Sequence, residues 1–184
     1  MAEYFEQTVV QQTILTADMT PLERLLLSHI FECEPDGDGW YFFAEQSPSS
    51  MIFVTRAELQ AALASSPDVE SAAHLYVTEQ LTTANVDATE IDLDLSGTSW
   101  EFFLQDIVKR SKTLAYVGVV VAFTCSKMRP DGFGGMAVLI TPDAIVGKST
   151  NDLLDDFLAE AGLDGGETPG AEVSDTATVP PASE

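Results

Sequence analysis

Basic residues are scarce in this chain. Eight Lys and Arg stand against thirty Asp and Glu in 184 residues, a formal net charge of −22 at pH 7. That is about three times the charge of roughly 2–8 that keeps a small domain soluble. Phosphate contacts need a basic footprint, so direct binding of nucleic acid is not expected, and an anionic membrane surface is disfavoured on the same ground. Cysteine is nearly absent: Cys33 and Cys125 are the only two, which suits small buried hydrophobes better than a disulfide framework. The longest apolar run, Val117 to Phe123, falls far short of the roughly 20 residues that span a bilayer. The opening MAEYFEQTVVQQ lacks a basic region followed by an apolar stretch, so no signal peptide and a cytoplasmic location are expected. No internal repeat is present.

What is present suffices for a core. Apolar residues make up 45% of the chain, inside the globular range. Helix starts are legible. Thr20-Pro21-Leu22-Glu23 and Thr55-Arg56-Ala57-Glu58 read as capping boxes, each with a carboxylate placed to return to the cap's own N–H. Thr98-Ser99-Trp100-Glu101 reads as a third box. Its helix presents Trp100, Phe103, Leu104, Ile107 and Val108 on one face and ends in Lys109 and Arg110, bases that suit the negative end of the helix dipole. Ser66-Pro67 predicts another helix start, and a last helix is expected from near Ser149 to an αL cap at Gly162.

Strands are expected over Trp40–Ala44, Met51–Val54 and Glu90–Leu95. The central strand is expected at 114–124, with a hairpin to 136–141 across a Gly-rich loop. Because it is apolar at successive positions, the central strand is expected to be covered on both faces. Residues 4–15 read equally as strand or helix. Together these elements predict an α+β class: a single mixed or mainly antiparallel sheet with about five helices, forming one domain over 1–162. From residue 163 the chain turns to Gly, Pro, Ser, Thr and acids without apolar period, the composition of a disordered acidic tail.

Four segments invite a chemical reading. Glu34-Pro35-Asp36-Gly37-Asp38-Gly39 with Glu45 resembles an EF-hand calcium loop, with carboxylates at positions one, three, five and twelve and Gly at six. Glu34 stands where the motif takes Asp, Pro35 interrupts the loop, and no second helix follows, so an acidic turn is the preferred reading and no metal is expected. Cys125 closes the central strand beside Lys127 and Arg129, bases that could lower a thiol pKa. Neither His29 nor His74 has the setting of a catalytic partner, and two His with two Cys lack zinc spacing. The loop Asp131-Gly132-Phe133-Gly134-Gly135 joins two strands, so it lacks the helix N-terminus of a phosphate-binding fingerprint. Gly147-Lys148-Ser149 lacks the upstream glycine of a Walker A motif. No catalytic residue and no cofactor are expected.

The acids carry the remaining signal. Glu90, Asp92 and Asp94 alternate with Ile91, Leu93 and Leu95, which sets the carboxylates on one strand face about 6–7 Å apart. Asp152, Asp155, Asp156 and Glu160 are expected to line the outer face of the last helix. Five of the eight bases cluster between Lys109 and Arg129, leaving the rest of the surface acidic. The expectation is a non-enzymatic binding protein whose carboxylates occupy a basic surface of a partner protein. Its most specific form is a nucleic-acid mimic inhibiting a nucleic-acid-binding system, since fixed carboxylates replace phosphates and steer association. The alternative is a small enzyme or ligand-binding domain with its site near Cys125 and the 127–135 loop.

Overall fold

The computed structural model describes residues 2–66 and 69–163; most of the expected acidic tail therefore lies outside the described residues. The chain divides into two units, Met1–Thr150 and Asn151–Glu184. The fold is α+β, with five α-helices, a mainly antiparallel seven-stranded sheet and a small second sheet.

Strand β1 (Tyr4–Val10) and the short β2 (Ile14–Leu15) settle the ambiguity of the amino-terminal segment, and a 3-10 turn (Thr16–Asp18) leads to helix α1 (Pro21–Ile30). A hairpin of β3 (Glu32–Asp36) and β4 (Gly39–Ala44) follows, then β5 (Met51–Thr55), α2 (Arg56–Ser65) and α3 (Ala72–Thr83). Next come β6 (Glu90–Asp94), α4 (Trp100–Arg110), β7 (Val117–Cys125), β8 (Gly134–Ile140), β9 (Ile145–Ser149) and α5 (Thr150–Glu160). Phe43 pairs with Val9 of β1 and also with Glu32 of β3, so β1 and β3 occupy opposite edges of β4. The large sheet then runs β3, β4, β1, β7, β8, β9, with β2 beside β4 on the β1 side. Strands β5 and β6 form the second sheet.

Local chemistry explains the boundaries. In α1, Thr20 Oγ1 accepts from the Glu23 N–H at 3.1 Å, and Glu23 Oε2 accepts from the Thr20 N–H at 2.9 Å. The reciprocal pair recurs between Thr55 and Glu58 at the start of α2. Helix α4 differs from expectation: its N-cap is Ser99, not Thr98, and Ser99 makes no side-chain cap bond. Glu101 is thereby displaced from the box position. Its Oε2 is buried without a partner, and burial pushes its carboxyl above the usual range. Ionised Glu101 therefore costs stability. That cost is absent below the usual carboxylate range and grows as pH rises through the raised folded value. Glu101→Gln is expected to remove this slope and to raise the urea midpoint at pH 7; equal midpoints at pH 7 would show that water reaches the carboxylate.

Helix α3 starts at Ala72 rather than after Ser66, because Ser71 caps it by accepting from the His74 N–H at 3.2 Å. Helix α5 ends as its sequence predicts. Gly162 takes φ +69°, the Leu163 N–H donates to Leu158 O at 2.8 Å, and the Gly162 N–H donates to Ala159 O at 3.0 Å, the two bonds of a Schellman cap.

The core lies on one side of the large sheet. Val117, Val119 and Val121 of β7 and Val138 and Ile140 of β8 are buried together with Leu22, Leu26 and Ile30 of α1 and Phe103, Leu104 and Ile107 of α4. Phe31 sits edge-on to Trp100 at 5.3 Å and to Phe42 at 6.4 Å. Strand β7 is central, but among the described residues its expected cover on both faces is not found. Val120, on the opposite face, is 47% exposed. Antiparallel sheets can leave one face open, and here the apolar residues continue onto that open face.

Candidate acidic and apolar surfaces

The acidic row of β6 is built on the second sheet. Ile52 and Val54 of β5 and Ile91 and Leu93 of β6 are buried, which forces Met51, Phe53, Thr55 and Glu90, Asp92, Asp94 outward. Register places Met51 opposite Asp94, Phe53 opposite Asp92, and Thr55 opposite Glu90. Backbone bonds close both ends of the ladder, from Leu95 N–H to Ser50 O at 2.8 Å and from Arg56 N–H to Thr89 O at 2.9 Å. The Arg56 guanidinium donates to Ala88 O at 2.9 Å and Asn85 O at 2.7 Å rather than to the row. Hydrogen bonds from Ser96, its side chain foremost and then its backbone N–H, hold Asp94 below the usual carboxylate range. Tyr76 donates to Asp94 O at 2.7 Å. Burial, and then the Asp94 and Glu79 charges, push the phenol pKa up to about 12, so Tyr76 stays a neutral donor. Beside the row, Glu90, Asp92 and the final turn of α3 (Gln80, Thr83) line a cleft of about 230 Å³. Two carboxylates and the negative end of a helix dipole converge there.

The second expected set stands on α5. Asp152, Asp155, Asp156 and Glu160 share one arc of the helix and Leu153, Leu154, Phe157 and Leu158 the opposite arc. The four leucine and phenylalanine side chains are exposed. These four acids belong to the second unit, and the β6 row belongs to the first.

Three of the five clustered bases have partners other than Cys125. Lys109 pairs with Asp106 at 3.1 Å, and Arg110 grips Glu23 through Nη2 at 2.7 and 2.5 Å. Arg129 donates to Tyr4 Oη at 3.2 Å and lies 3.9 Å from Asp131. Cys125 is buried, and a Cβ on Gly132 would come within 2.8 Å of its Cβ, so the Gly-rich loop packs tightly against the cysteine. His29 lies on α1 and His74 caps into the first turn of α3; among the described residues no hydrogen bond joins either to a cysteine. The EF-hand resemblance dissolves in the same way. Residues 32–44 form a hairpin in which Glu34 faces Tyr41 across the ladder, Asp36 accepts from Thr13 Oγ1, and Gly37 takes φ +60° in the turn.

Sequence reasoning missed the open face of the large sheet. Directly paired residues share a face, and their register traces one row across six strands: Glu32, Phe43, Val9, Val120, Ala137, Lys148. Leu139 and Val146 sit beside it as a second pair, 42% and 56% exposed. A shallow groove of about 520 Å³ runs between Val120, Leu139 and Val146. Its signal is the unbroken apolar run of 117–123, which has the same pattern as a strand buried on both sides. Comparison with known proteins yields no matching family model, curated protein or solved structure.

Proposed function

We propose that this chain is a non-enzymatic binding protein that occupies a basic surface of a partner protein through the outward face of β5 and β6. The observation that supports this reading is the register of that face: three fixed carboxylates, each opposite an apolar or hydroxyl side chain, with a two-carboxylate cleft beside them. A lysine or arginine of the partner would enter the cleft between Glu90 and Asp92, while Met51 and Phe53, 43% and 60% exposed, would meet its aliphatic stem. A partner that normally holds nucleic acid fits best, because the row repeats negative charge about every 6–7 Å on a rigid strand, close to the separation of successive phosphates along a chain. The −22 charge would steer the encounter from a distance.

The test is a pull-down at low salt from the native source, with the captured partner then titrated. Replacing Glu90→Gln, Asp92→Asn and Asp94→Asn together is expected to weaken that complex about tenfold or more near physiological salt, mostly through the on-rate, and the difference should shrink as salt rises. Nucleic acid should compete for the partner without binding the purified chain. A partner affinity indifferent to salt and to the triple substitution would remove the basis of this reading.

A further inference from the structure

We propose that the cavity between α1 and the β3–β4 hairpin binds a small carboxylic acid with a flat apolar body, of which an aromatic monocarboxylate is the type. The cavity holds about 180 Å³ and is lined by Arg24 and Ser28 of α1, Cys33 of β3, and Trp40 and Phe42 of β4. Periodicity in the sequence sets this lining. Arg24 and Ser28 stand four residues apart and share one face of α1. Cys33 pairs with Phe42 across the ladder, so both lie on the side of the sheet that α1 covers. Glu32 and Glu34 alternate with Cys33 and stand on the other side. In a chain with thirty acids, this cavity is therefore lined by a cation and, among the described residues, by no carboxylate.

Arg24 selects the charge of the ligand. Its guanidinium stands over the Trp40 ring, 5.8 Å from the centroid. Arg110 grips Glu23 and Arg56 donates to two carbonyls, but among the described residues no hydrogen bond or ion pair takes up the Arg24 side chain. Its contact with the ring leaves the planar fork of N–H donors free, and that fork matches both oxygens of a carboxylate. The other polar groups of the lining do not compete for it. Ser28 Oγ already donates to Leu25 O at 2.8 Å. Burial pushes the Cys33 thiol up, against the opposing pull of the Arg24 charge, so Cys33 stays neutral. Trp40 and Phe42 supply aromatic walls for a flat body. The volume equals the liquid share of about six waters, which limits the ligand to a single ring with its carboxylate. A phosphate would bring more charge and more oxygens than one guanidinium satisfies.

Cys33 makes occupancy readable, because its thiol is half-buried in the wall of the cavity. The experiment follows alkylation of Cys33 by iodoacetamide in the full chain, by peptide mass mapping, with benzoate as the probe up to about 10 mM. Benzoate is expected to slow the reaction about tenfold at the highest concentration, with half the protection near about 1 mM. Benzamide keeps the shape without the charge, and inorganic phosphate keeps the charge without the ring. Each should change the rate less than about twofold. Arg24 is exposed, so Arg24→Gln should leave circular dichroism unchanged while raising the half-protecting benzoate concentration about tenfold or more. Arg24→Lys, which keeps the charge and loses the fork, should fall between the two. An alkylation rate indifferent to benzoate, equal protection by benzamide or phosphate, or protection that survives Arg24→Gln overturns the proposal.

Discussion

Arg110→Ala is expected to destabilise the fold by about 3–5 kcal/mol, read as a drop in the urea midpoint. Glu23 lies in the first turn of α1 with its side chain wholly buried, and Arg110 reaches it from the last turn of α4. Both carboxylate oxygens accept from Arg110 Nη2, and Oε2 also accepts from the Thr20 N–H. Without the guanidinium, a buried carboxylate keeps one amide donor. Glu23→Gln should cost less, about 1–3 kcal/mol, because the stranded cation is a quarter exposed and can turn to water. Replacing both, as Glu23→Leu with Arg110→Met, should cost less than the sum of the single changes. A loss below about 1 kcal/mol for Arg110→Ala would mean that water replaces the guanidinium at little cost.

Phe103→Ala is expected to cost about 3–5 kcal/mol, while Phe102→Ala next to it should stay within about 0.5 kcal/mol. Successive helical residues point in different directions, and α4 uses this fully: Phe103 is wholly buried and Phe102 is 49% exposed. The ring of Phe103 lies in the layer between α4 and the large sheet, among the side chains of α1, β7 and β8. Truncation leaves a ring-sized void, which close-packed neighbours fill only in part. Equal effects in thermal unfolding would show that α4 is rotated from the position described.

Where a local interaction dictates an element, the sequence was readable. Thr20 with Glu23 and Thr55 with Glu58 fixed two helix starts through bonds spanning three residues. Gly162 fixed a helix end, and alternation in Glu90–Asp94 placed its acids outward. The misreadings share a different origin. Ser99 displaced Thr98 and Ser71 displaced Ser66 as caps, because several hydroxyls competed and packing chose between them. Strand β3 carries Pro35 and three acids, and is a strand because β4 offers it a ladder. Strand β9, Ile145–Ser149, is held in the same way by β8. The acidic row was therefore legible, whereas the open apolar face was not: a run of valines has the same letters whether its second face meets a helix or solvent.

Strand β1 has a consequence for how the chain reaches this structure. Its neighbour β7 is supplied more than a hundred residues later; Glu3 N–H and Ser126 Oγ, which bond at 3.0 Å, are 123 positions apart. During synthesis β1 can pair early only with β4, at its last residues, and its other edge stays unsatisfied until β7 has left the ribosome. The closing of such a distant pair is entropically slow. Folding of the large sheet is thus gated by translation of its second half, and the helices of 21–110 have time to form before the strands on either side of them can meet.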